Sequence, residues 1–301
     1  MPGMHRRSLL KGGLAAASLG AVSPLALGQD PSPRQGAGRF KLKYAPHFGM
    51  FRNHAGNDLA DQLKFMHDEG FEAFEDNGLA KRSEADQAII GQTLRDLGMT
   101  MGVFVIHGGS GGPTLASRDP EVWRGIEGDL KRGIKVLEHV DAKWCTVVPG
   151  TYHKKEEMGF QRATAIDNLR RAADILAPAK LTAVLEPLNP YVDHPGLFLT
   201  EIPQAFAICR AVNSPFIKIL DDLYHQQVTE GNLIRNIDRA WSEIAYFQVG
   251  DNPGRKEPTT GEINYRNIFR HLHQKGWEGV IGMEHGNSRG GKEGERAVID
   301  A

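Results

Sequence analysis

The chain is poor in cysteine, with only Cys145 and Cys209 among its 301 residues. Neither belongs to a pair with metal-binding spacing, which excludes the zinc sites that are built from clustered cysteines. Both lie in apolar stretches, where a thiol behaves as a small buried hydrophobic group. Two cysteines allow one disulfide bridge, but a chain of this length can bury a sufficient core without it.

The chain also lacks an excess of charge of either sign. Its 36 lysines and arginines and 37 aspartates and glutamates leave a formal net charge of −1. Binding to nucleic acid or to an anionic membrane through general electrostatics needs a positive excess. We therefore expect no nucleic-acid partner, and a composition of 40% hydrophobic and 24% charged residues is typical of a globular protein.

No apolar run is long enough to be a permanent membrane anchor. The run at 12–22, near the N-terminus, is short and rich in glycine and alanine. It follows Arg6-Arg7-Ser8-Leu9-Leu10-Lys11 and precedes Ala26-Leu27-Gly28, a small-x-small cleavage site. This arrangement resembles a twin-arginine export signal at 1–28, followed by a Pro/Gly/Ser-rich linker at 29–39. We expect a periplasmic or other extracytoplasmic protein, and an amphipathic N-terminal helix is the alternative.

A glycine-rich phosphate loop is missing after the first strand-like run, which leads into Pro46-His47-Phe48-Gly49. Such a loop usually marks a doubly wound open sheet, so its absence argues against that fold. The later run Gly108-Gly109-Ser110-Gly111-Gly112 lacks the lysine and the helix start of a phosphate-binding loop. It reads either as a flexible active-site loop or as a disordered insertion.

What the chain does contain is a regular alternation of strand-like and helical segments. The strand-like runs lie at 41–46, 71–76, 102–107, 144–148, 181–186, 216–222, 244–249 and 279–284. Amphipathic helical patterns lie at 58–69, 83–97, 120–140, 164–176, 202–212, 233–241 and 265–275, and a short piece at 292–301 looks like a stub. Eight such repeats predict an α/β fold, a (β/α)₈ TIM barrel, over residues 40–301.

Four successive strands of this predicted barrel end in a side chain that carries oxygen. The strand ends are Glu186, the pair Asp221-Asp222, Gln248 and Glu284. In a barrel the carboxyl ends of all strands face one mouth, where active sites form. We therefore expect these side chains to surround a single cavity. Each could instead cap a loop or pair with an arginine, but four at matching strand ends favour a shared centre.

Three carboxylates and one amide oxygen form a ligand set of hard oxygens. This set suits Mg²⁺ or Mn²⁺ better than Zn²⁺, which prefers histidine and cysteine. Without a cation, three neighbouring anions would repel one another and their pKa values would rise. The pattern thus predicts a divalent metal held by Glu186, Asp222, Gln248 and Glu284. His107 ends the third strand, where it could contact a substrate or be a core histidine.

At these positions the chain resembles the hydroxypyruvate isomerase branch of the xylose isomerase-like barrels, which include ketose 3-epimerases. The resemblance covers residues ~40 to 288. Its motifs are Leu185-Glu186-Pro187-Leu188-Asn189, Asp222-Leu223-Tyr224-His225-Gln226-Gln227, Gln248-Val249-Gly250-Asp251-Asn252-Pro253-Gly254-Arg255, Glu257-Pro258-Thr259-Thr260-Gly261-Glu262-Ile263-Asn264-Tyr265 and Gly276-Trp277-Glu278-Gly279 before Glu284.

The resemblance implies roles for individual residues. The family's Asp-x-x-His motif selects Asp222 over Asp221 as a metal ligand and His225 as a substrate-binding residue. Gln248 stands where the epimerases have histidine, which places the chain with the hydroxypyruvate isomerase branch. Arg255 is expected to orient the substrate, and a salt bridge within its own loop is the alternative.

The resemblance also implies the chemistry. Glu186 and Glu284 would exchange a proton with adjacent substrate carbons, so that an aldose–ketose type of isomerisation proceeds through an enediolate. The substrate would be a small sugar or hydroxy-keto acid, and the family allows a homo-oligomer. A sugar 3-epimerase, a dehydratase or lyase on the same barrel, and a non-catalytic sugar-binding protein remain alternatives. The segment after Glu284 and the glycine-rich loop differ from the family pattern, which leaves the substrate open.

Overall fold

Parallel β-strands alternate with helices throughout the computed structural model, which describes residues 39–301. The predicted signal peptide and all but the last residue of the predicted linker lie outside this range. The strands are β1 (Lys43–Ala45), β2 (Ala73–Phe74), β3 (Thr100–Met101), β4 (Val105–His107), β5 (Trp144–Val147), β6 (Thr182–Leu185), β7 (Ile217–Asp222), β8 (Ile244–Gln248) and β9 (Val280–Gly282).

The strands form a closed ring. Seven of them make one parallel sheet in the order β1-β9-β8-β7-β6-β5-β4, and β2 pairs with β3. β2 lies between the two ends of the larger sheet, because Glu75 N donates to Pro46 O at 3.1 Å and Asp76 N donates to Val103 O at 3.2 Å. The predicted α/β barrel is confirmed. Of the third strand, predicted at 102–107, only residues 105–107 form a strand, β4, and the short strand β3 precedes the predicted range.

Helices cover the outside of this ring. They are α1 (Arg52–Ala55), α2 (Leu59–Asp68), α3 (Glu84–Leu97), α4 (Pro120–Lys135), α5 (Met158–Leu176), α6 (Ile202–Val212), α7 (Leu223–Thr229), α8 (Leu233–Ala240), α9 (Tyr265–Gln274) and α10 (Gly291–Asp300). None of these helices, all within 39–301, has the length and apolarity that a bilayer crossing demands.

Local sequence explains where several helices begin and end. The side chains of Asp58, Ser83 and Asp119 accept hydrogen bonds from the first backbone N–H groups of α2, α3 and α4. Gly98 ends α3 in the left-handed conformation that the absence of a Cβ permits. These boundaries agree with the sequence prediction to within one residue.

The expectation of a C-terminal stub is wrong, because α10 is a ten-residue helix packed on the barrel. Its Val298 and Ile299 are buried. Its buried Glu295 accepts hydrogen bonds from the backbone N–H groups of Asn53 at 2.6 Å and His54 at 3.0 Å. These partners are far away in sequence, so the local pattern of residues 292–301 gave no sign of them.

The apolar core has two layers. The strands point small and aromatic side chains such as Val184, Leu220 and Tyr246 into the barrel, and a larger cluster fills the space between strands and helices. Cys145 and Cys209 are free buried thiols, as the sequence analysis predicted. Because apolar side chains fill the barrel interior, the polar side chains of the site lie at the carboxyl ends of the strands.

Close packing of α4 on β4 depends on a glycine, and this generates a test. A Cβ at buried Gly133 would overlap the side chain of Ile106, whereas a Cβ at exposed Gly125 of the same helix meets no atom within 4 Å. We expect Gly133→Ala to lower the free energy of unfolding by about 1–3 kcal/mol through overpacking. Gly125→Ala should raise it by about 0.5–1 kcal/mol through helix propensity. Urea denaturation of both variants checks this, and equal effects at the two positions would contradict it.

Candidate active site

The four predicted strand-end ligands lie at the same end of the barrel. Glu186 follows β6, Asp222 ends β7, Gln248 ends β8 and Glu284 follows β9 by two residues. Asp222 and Gln248 are register neighbours on adjacent strands. Glu186, Asp222 and Gln248 are buried, whereas the Glu284 side chain keeps 27% of its surface exposed. The geometry therefore brings together the residues that sequence position alone suggested.

Arg255 connects two of the carboxylates. Its Nη2 lies 3.2 Å from Asp222 Oδ2 and 2.9 Å from Glu284 Oε2, and its guanidinium lies 4.9 Å from the centre of the Tyr224 ring. The alternative of a salt bridge within its own loop does not occur, because the side chain reaches across to two strand ends. Its other N–H groups remain available for a substrate oxygen.

The loop that carries Arg255 is held by a buried aspartate. Asp251 accepts hydrogen bonds from the backbone N–H groups of Gly261 at 2.8 Å and Ile263 at 3.0 Å. Arg255 N in turn donates to Asp251 O at 2.7 Å. Arg255 itself has a φ of 48°, in the left-handed region that is unfavourable for most residues. The local backbone is thus constrained in a way that directs the guanidinium into the site.

His225 lies between the carboxylates of Asp222 and Glu186. It belongs to α7, a short helix that the sequence analysis did not predict and that begins directly after Asp222. Its Nε2 is 3.6 Å from Asp222 Oδ2 and 4.0 Å from Glu186 Oε1. Burial lowers the pKa of His225 to about 4, so the ring is neutral at neutral pH.

Gln248 presents its amide oxygen without a protein partner. Its Nε2 donates to both oxygens of Glu75 at 3.3 Å, while Oε1 is buried and makes no hydrogen bond among the described residues. Tyr246 also donates to Glu75 Oε2, at 3.0 Å. A Cβ at Gly282 would overlap the Glu75 carboxyl group, so a glycine is needed beside it. A buried oxygen without a partner is costly unless a cation or ligand binds it.

Burial and repulsion from neighbouring acids raise the pKa values of three glutamates in and beside the site. Burial, followed by the neighbouring charges of Glu284 and Asp222, raises the pKa of Glu186 well above its usual value. Burial raises the pKa of Glu284 to about 7, although the nearby Arg255 guanidinium opposes the shift. Glu75, which is fully enclosed, has its pKa raised by the same burial effect.

The side chains at the four strand ends have the charge and the ligand atoms that a divalent cation needs. Glu186, Asp222 and Glu284 carry three potential negative charges, and Arg255 is the positive side chain in contact with two of them. The excess must be neutralised by protons or by a cation. Carboxylate oxygens together with the unpaired Gln248 Oε1 are ligands that Mg²⁺ and Mn²⁺ accept. The glutamate–aspartate–histidine cluster of Glu186, Asp222 and His225 also has ligand atoms within 4.8 Å of one another.

His107 makes a different contact from the other site residues. Its Nδ1 lies 2.7 Å from Asp129 Oδ2 on α4, the helix outside β4, and it lines a separate pocket with Ser110 and Thr114. The structure therefore pairs His107 with an outer helix, and substrate binding by His107 stays a prediction. The glycine-rich loop beside it is held by hydrogen bonds to the next loop, including Thr151 N to Gly112 O at 3.1 Å.

Three residues in or beside the site were given no role by the sequence analysis. Glu75 follows β2 as the other acids follow their strands, so the same strand-end rule would have found it. Asn77 donates to Glu284 Oε1 at 2.8 Å. Asn189 contacts His225. Neither asparagine could be linked to its partner from sequence, because the partners are 207 and 36 positions away.

Known proteins similar to this chain belong to one barrel family and include isomerases. The family model described as "Xylose isomerase-like TIM barrel" matches residues 63–301. The chain is 30% identical over 235 residues to a 2-oxo-tetronate isomerase of Pectobacterium atrosepticum, covering 77% of this chain and 88% of that protein. It is 37% identical over 123 residues to the hydroxypyruvate isomerase of Escherichia coli, covering 41% of this chain. That match spans 47% of the length of the Escherichia coli protein. The matches to the proteins described as "Putative hydroxypyruvate isomerase" of Homo sapiens and Xenopus laevis each span 45% of the relative's length.

A solved structure agrees over most of the barrel. The crystal structure described as AP endonuclease, family 2, from Brucella melitensis is 25% identical in sequence. It superposes with a TM-score of 0.71 and covers 86% of this chain and 98% of its own. The similarity supports the barrel architecture found here.

The raised pKa values predict a pH-dependent effect of metal on stability. The folded state favours protonated Glu284, so metal-free stability is fully present below the usual pKa of 4.5 and is lost as the pH rises through about 7. A divalent cation bound at these carboxylates would replace those protons. The increase in melting temperature on adding Mn²⁺ should therefore grow between about pH 4.5 and about pH 7.

Thermal melts with and without Mn²⁺ across that pH range measure the effect. Glu284→Gln removes the titrating group and should flatten the pH dependence. A stabilisation by Mn²⁺ that is independent of pH in the unaltered protein would show that the carboxylates do not form the metal site.

Proposed function

The chain belongs to the xylose isomerase-like TIM barrel family, and from this we propose that it is a divalent-metal-dependent isomerase of the hydroxypyruvate isomerase type. Its relatives include proteins named hydroxypyruvate isomerase and 2-oxo-tetronate isomerase. The observation that carries the proposal is the convergence of three strand-end carboxylates and an unpaired amide oxygen. Mg²⁺ or Mn²⁺ would be held by Glu186, Asp222, Gln248 and Glu284.

A bound divalent cation would stabilise negative charge on the carbonyl and hydroxyl oxygens of the substrate. Glu75 supports this function indirectly, because its hydrogen bonds to Gln248 Nε2 turn the amide oxygen away from Glu75. Arg255 contributes a permanent positive charge beside Asp222 and Glu284, and its free N–H groups can bind a substrate oxygen.

The proton transfer is assigned to Glu186 and Glu284. One carboxylate removes the proton from the carbon next to the carbonyl, which leaves an enediolate. A proton delivered to the former carbonyl carbon, together with transfer of the hydroxyl proton between the two oxygens, gives the isomeric hydroxycarbonyl compound. A carboxylate suits this role because it can accept a proton from carbon and return one.

The substrate class is a small sugar or hydroxy-keto acid. A sugar 3-epimerase would return the proton to the same carbon from the opposite face, and a dehydratase or lyase would expel a group from the same enediolate. A non-catalytic sugar-binding barrel would need neither acid–base residue. Two carboxylates that follow different strands, one for each proton step, favour an enzyme.

The decisive experiment measures whether a proton from solvent is incorporated at a carbon atom of the product. A panel of sugars and keto acids is incubated in heavy water with the Mn²⁺- or Mg²⁺-loaded protein, and the product is analysed for deuterium and for structure. We expect an isomeric product labelled at carbon, with activity lost on chelation and restored by either metal. Glu186→Gln keeps the size but cannot accept the proton, so kcat should fall by about 10²–10⁴-fold.

Exposed Glu278, in the segment before β9, provides the matched control. Glu278→Gln should keep the unaltered turnover. Binding without deuterium exchange would favour a binding protein, an epimeric product would favour an epimerase, and full turnover by Glu186→Gln would rule out the acid–base assignment.

We also propose that residues 1–28 direct export by the twin-arginine route. The support is the Arg6-Arg7 pair, the weakly apolar run after it and the Ala26-Leu27-Gly28 cleavage site. In a bacterial host with this pathway, the processed protein should appear in the periplasmic fraction. Replacing both Arg6 and Arg7 by lysine should retain the unprocessed chain in the cytoplasm, and continued export of that variant would contradict the proposal.

A further inference from the structure

Asn189 has its side-chain amide oriented by the backbone. It lies three residues after Glu186 and is fully buried. Its Oδ1 accepts hydrogen bonds from Val192 N at 3.0 Å and from Asp193 N at 3.1 Å. Backbone N–H groups can only donate, so the oxygen of the amide must be on this side. The position of Nδ2 follows from that constraint and does not depend on the site chemistry.

The other side of the Asn189 amide faces two acceptors. Nδ2 donates one hydrogen to Asp193 Oδ2 at 2.8 Å and is 2.7 Å from His225 Nδ1. An NH₂ group has two hydrogens and no lone pair to offer in a hydrogen bond, so His225 Nδ1 must be the acceptor. A proton on Nδ1 would point directly at another donor. The neutral ring of His225 must therefore carry its hydrogen on Nε2.

The Nε2 side of the ring is directed toward the carboxylates of Asp222 and Glu186. It lies 3.6 Å from Asp222 Oδ2 and 4.0 Å from Glu186 Oε1, is buried, and makes no hydrogen bond among the described residues. A buried N–H group without a partner is rare in folded proteins. Here it lies beside the space where the substrate oxygens would be held.

We propose that Asn189 is a positioning residue that holds His225 in the Nε2–H tautomer, so that His225 donates a hydrogen bond to a substrate oxygen and does not bind the metal. A metal ligand needs a lone pair, and the lone pair of this ring is occupied by Asn189. The donor can stabilise negative charge as it develops on the enediolate oxygen. The tautomer itself is independent of the proposed function, whereas donation to substrate depends on it.

This assignment resolves an ambiguity in the site. By distance alone, Glu186, Asp222 and His225 form a group that could hold a metal ion. With the tautomer set by Asn189, His225 leaves that group, and the unpaired Oε1 of Gln248 takes the fourth ligand position. The site then presents only oxygen ligands, which favours Mg²⁺ or Mn²⁺ over Zn²⁺.

The tautomer can be observed directly in the metal-free, substrate-free protein. Nitrogen NMR of ring-labelled histidine distinguishes a protonated from an unprotonated ring nitrogen, and His225→Gln identifies the His225 signals among the 12 histidines. We expect the unaltered protein to show hydrogen on Nε2 and a bare Nδ1. Hydrogen on Nδ1 would overturn the proposal whether or not the protein is an isomerase.

Two variants distinguish an effect of the Asn189 side chain on the His225 tautomer from an effect of the charge of the loop. Asp193→Asn keeps the backbone bonds to Asn189 Oδ1, so it should keep hydrogen on Nε2. The double variant Asn189→Asp, Asp193→Asn has the formal charge of the unaltered protein, but its side chain at position 189 can only accept from His225. The backbone N–H of residue 189, at 3.4 Å from His225 Nδ1, is then the one remaining donor from this residue and the longer of the two. Under mildly alkaline conditions, hydrogen should move to Nδ1. Retention of the Nε2–H signal in a folded double variant would contradict the proposal.

Kinetics then tests the donation to substrate. With the metal-loaded enzyme, the double variant should show kcat lowered at least about tenfold relative to Asp193→Asn, with a smaller change in KM. A moved tautomer with unchanged kcat would show that His225 does not donate in the transition state. Absence of any isomerase activity in the unaltered protein would instead count against the proposed function and leave the tautomer result intact.

Discussion

The constraint on which the site depends is an imbalance of charge at the carboxyl end of the barrel. Glu186, Asp222 and Glu284 converge there, and Arg255 is shared between the last two. Buried carboxylates that repel one another must gain a counter-charge or a proton. The raised pKa values of Glu186 and Glu284 and the unpaired amide oxygen of Gln248 both follow from this incomplete neutralisation. A divalent cation would satisfy both at once.

The surrounding residues orient the charged and polar groups of the site by different contacts. Asn77 donates to Glu284, and the constrained Asp251 loop directs Arg255 toward the acids. Glu75, enclosed and favouring its neutral form, accepts from Gln248 and thereby turns the amide oxygen toward the site. Asn189 does the equivalent for His225, whose ring presents a donor and not a lone pair. In these last two cases, a buried neighbour decides which atom of an ambiguous side chain faces the substrate space.

Much of the fold followed from pattern alone. Strand-like runs at a steady interval with amphipathic helices between them are sufficient to predict a parallel barrel, since each repeat must bury both faces of a strand. The departures have specific causes. α7 has only seven residues, too few for helical periodicity to be recognised in the sequence. α10 is stabilised by Glu295, which caps a backbone more than 240 residues away, and no local signal reports that contact.

The sequence by itself determined that Glu186, Asp222, Gln248 and Glu284 would meet, because the ends of parallel strands share one edge whatever the details of packing. Only the tertiary structure decided which partner each side chain contacts. The Arg255 guanidinium pairs with Asp222 and Glu284 and not with the acids of its own loop, and His107 contacts Asp129 on an outer helix. Hydrogen bonds and ion pairs depend on distances of a few tenths of an ångström between residues remote in the chain, and periodicity carries no information at that scale.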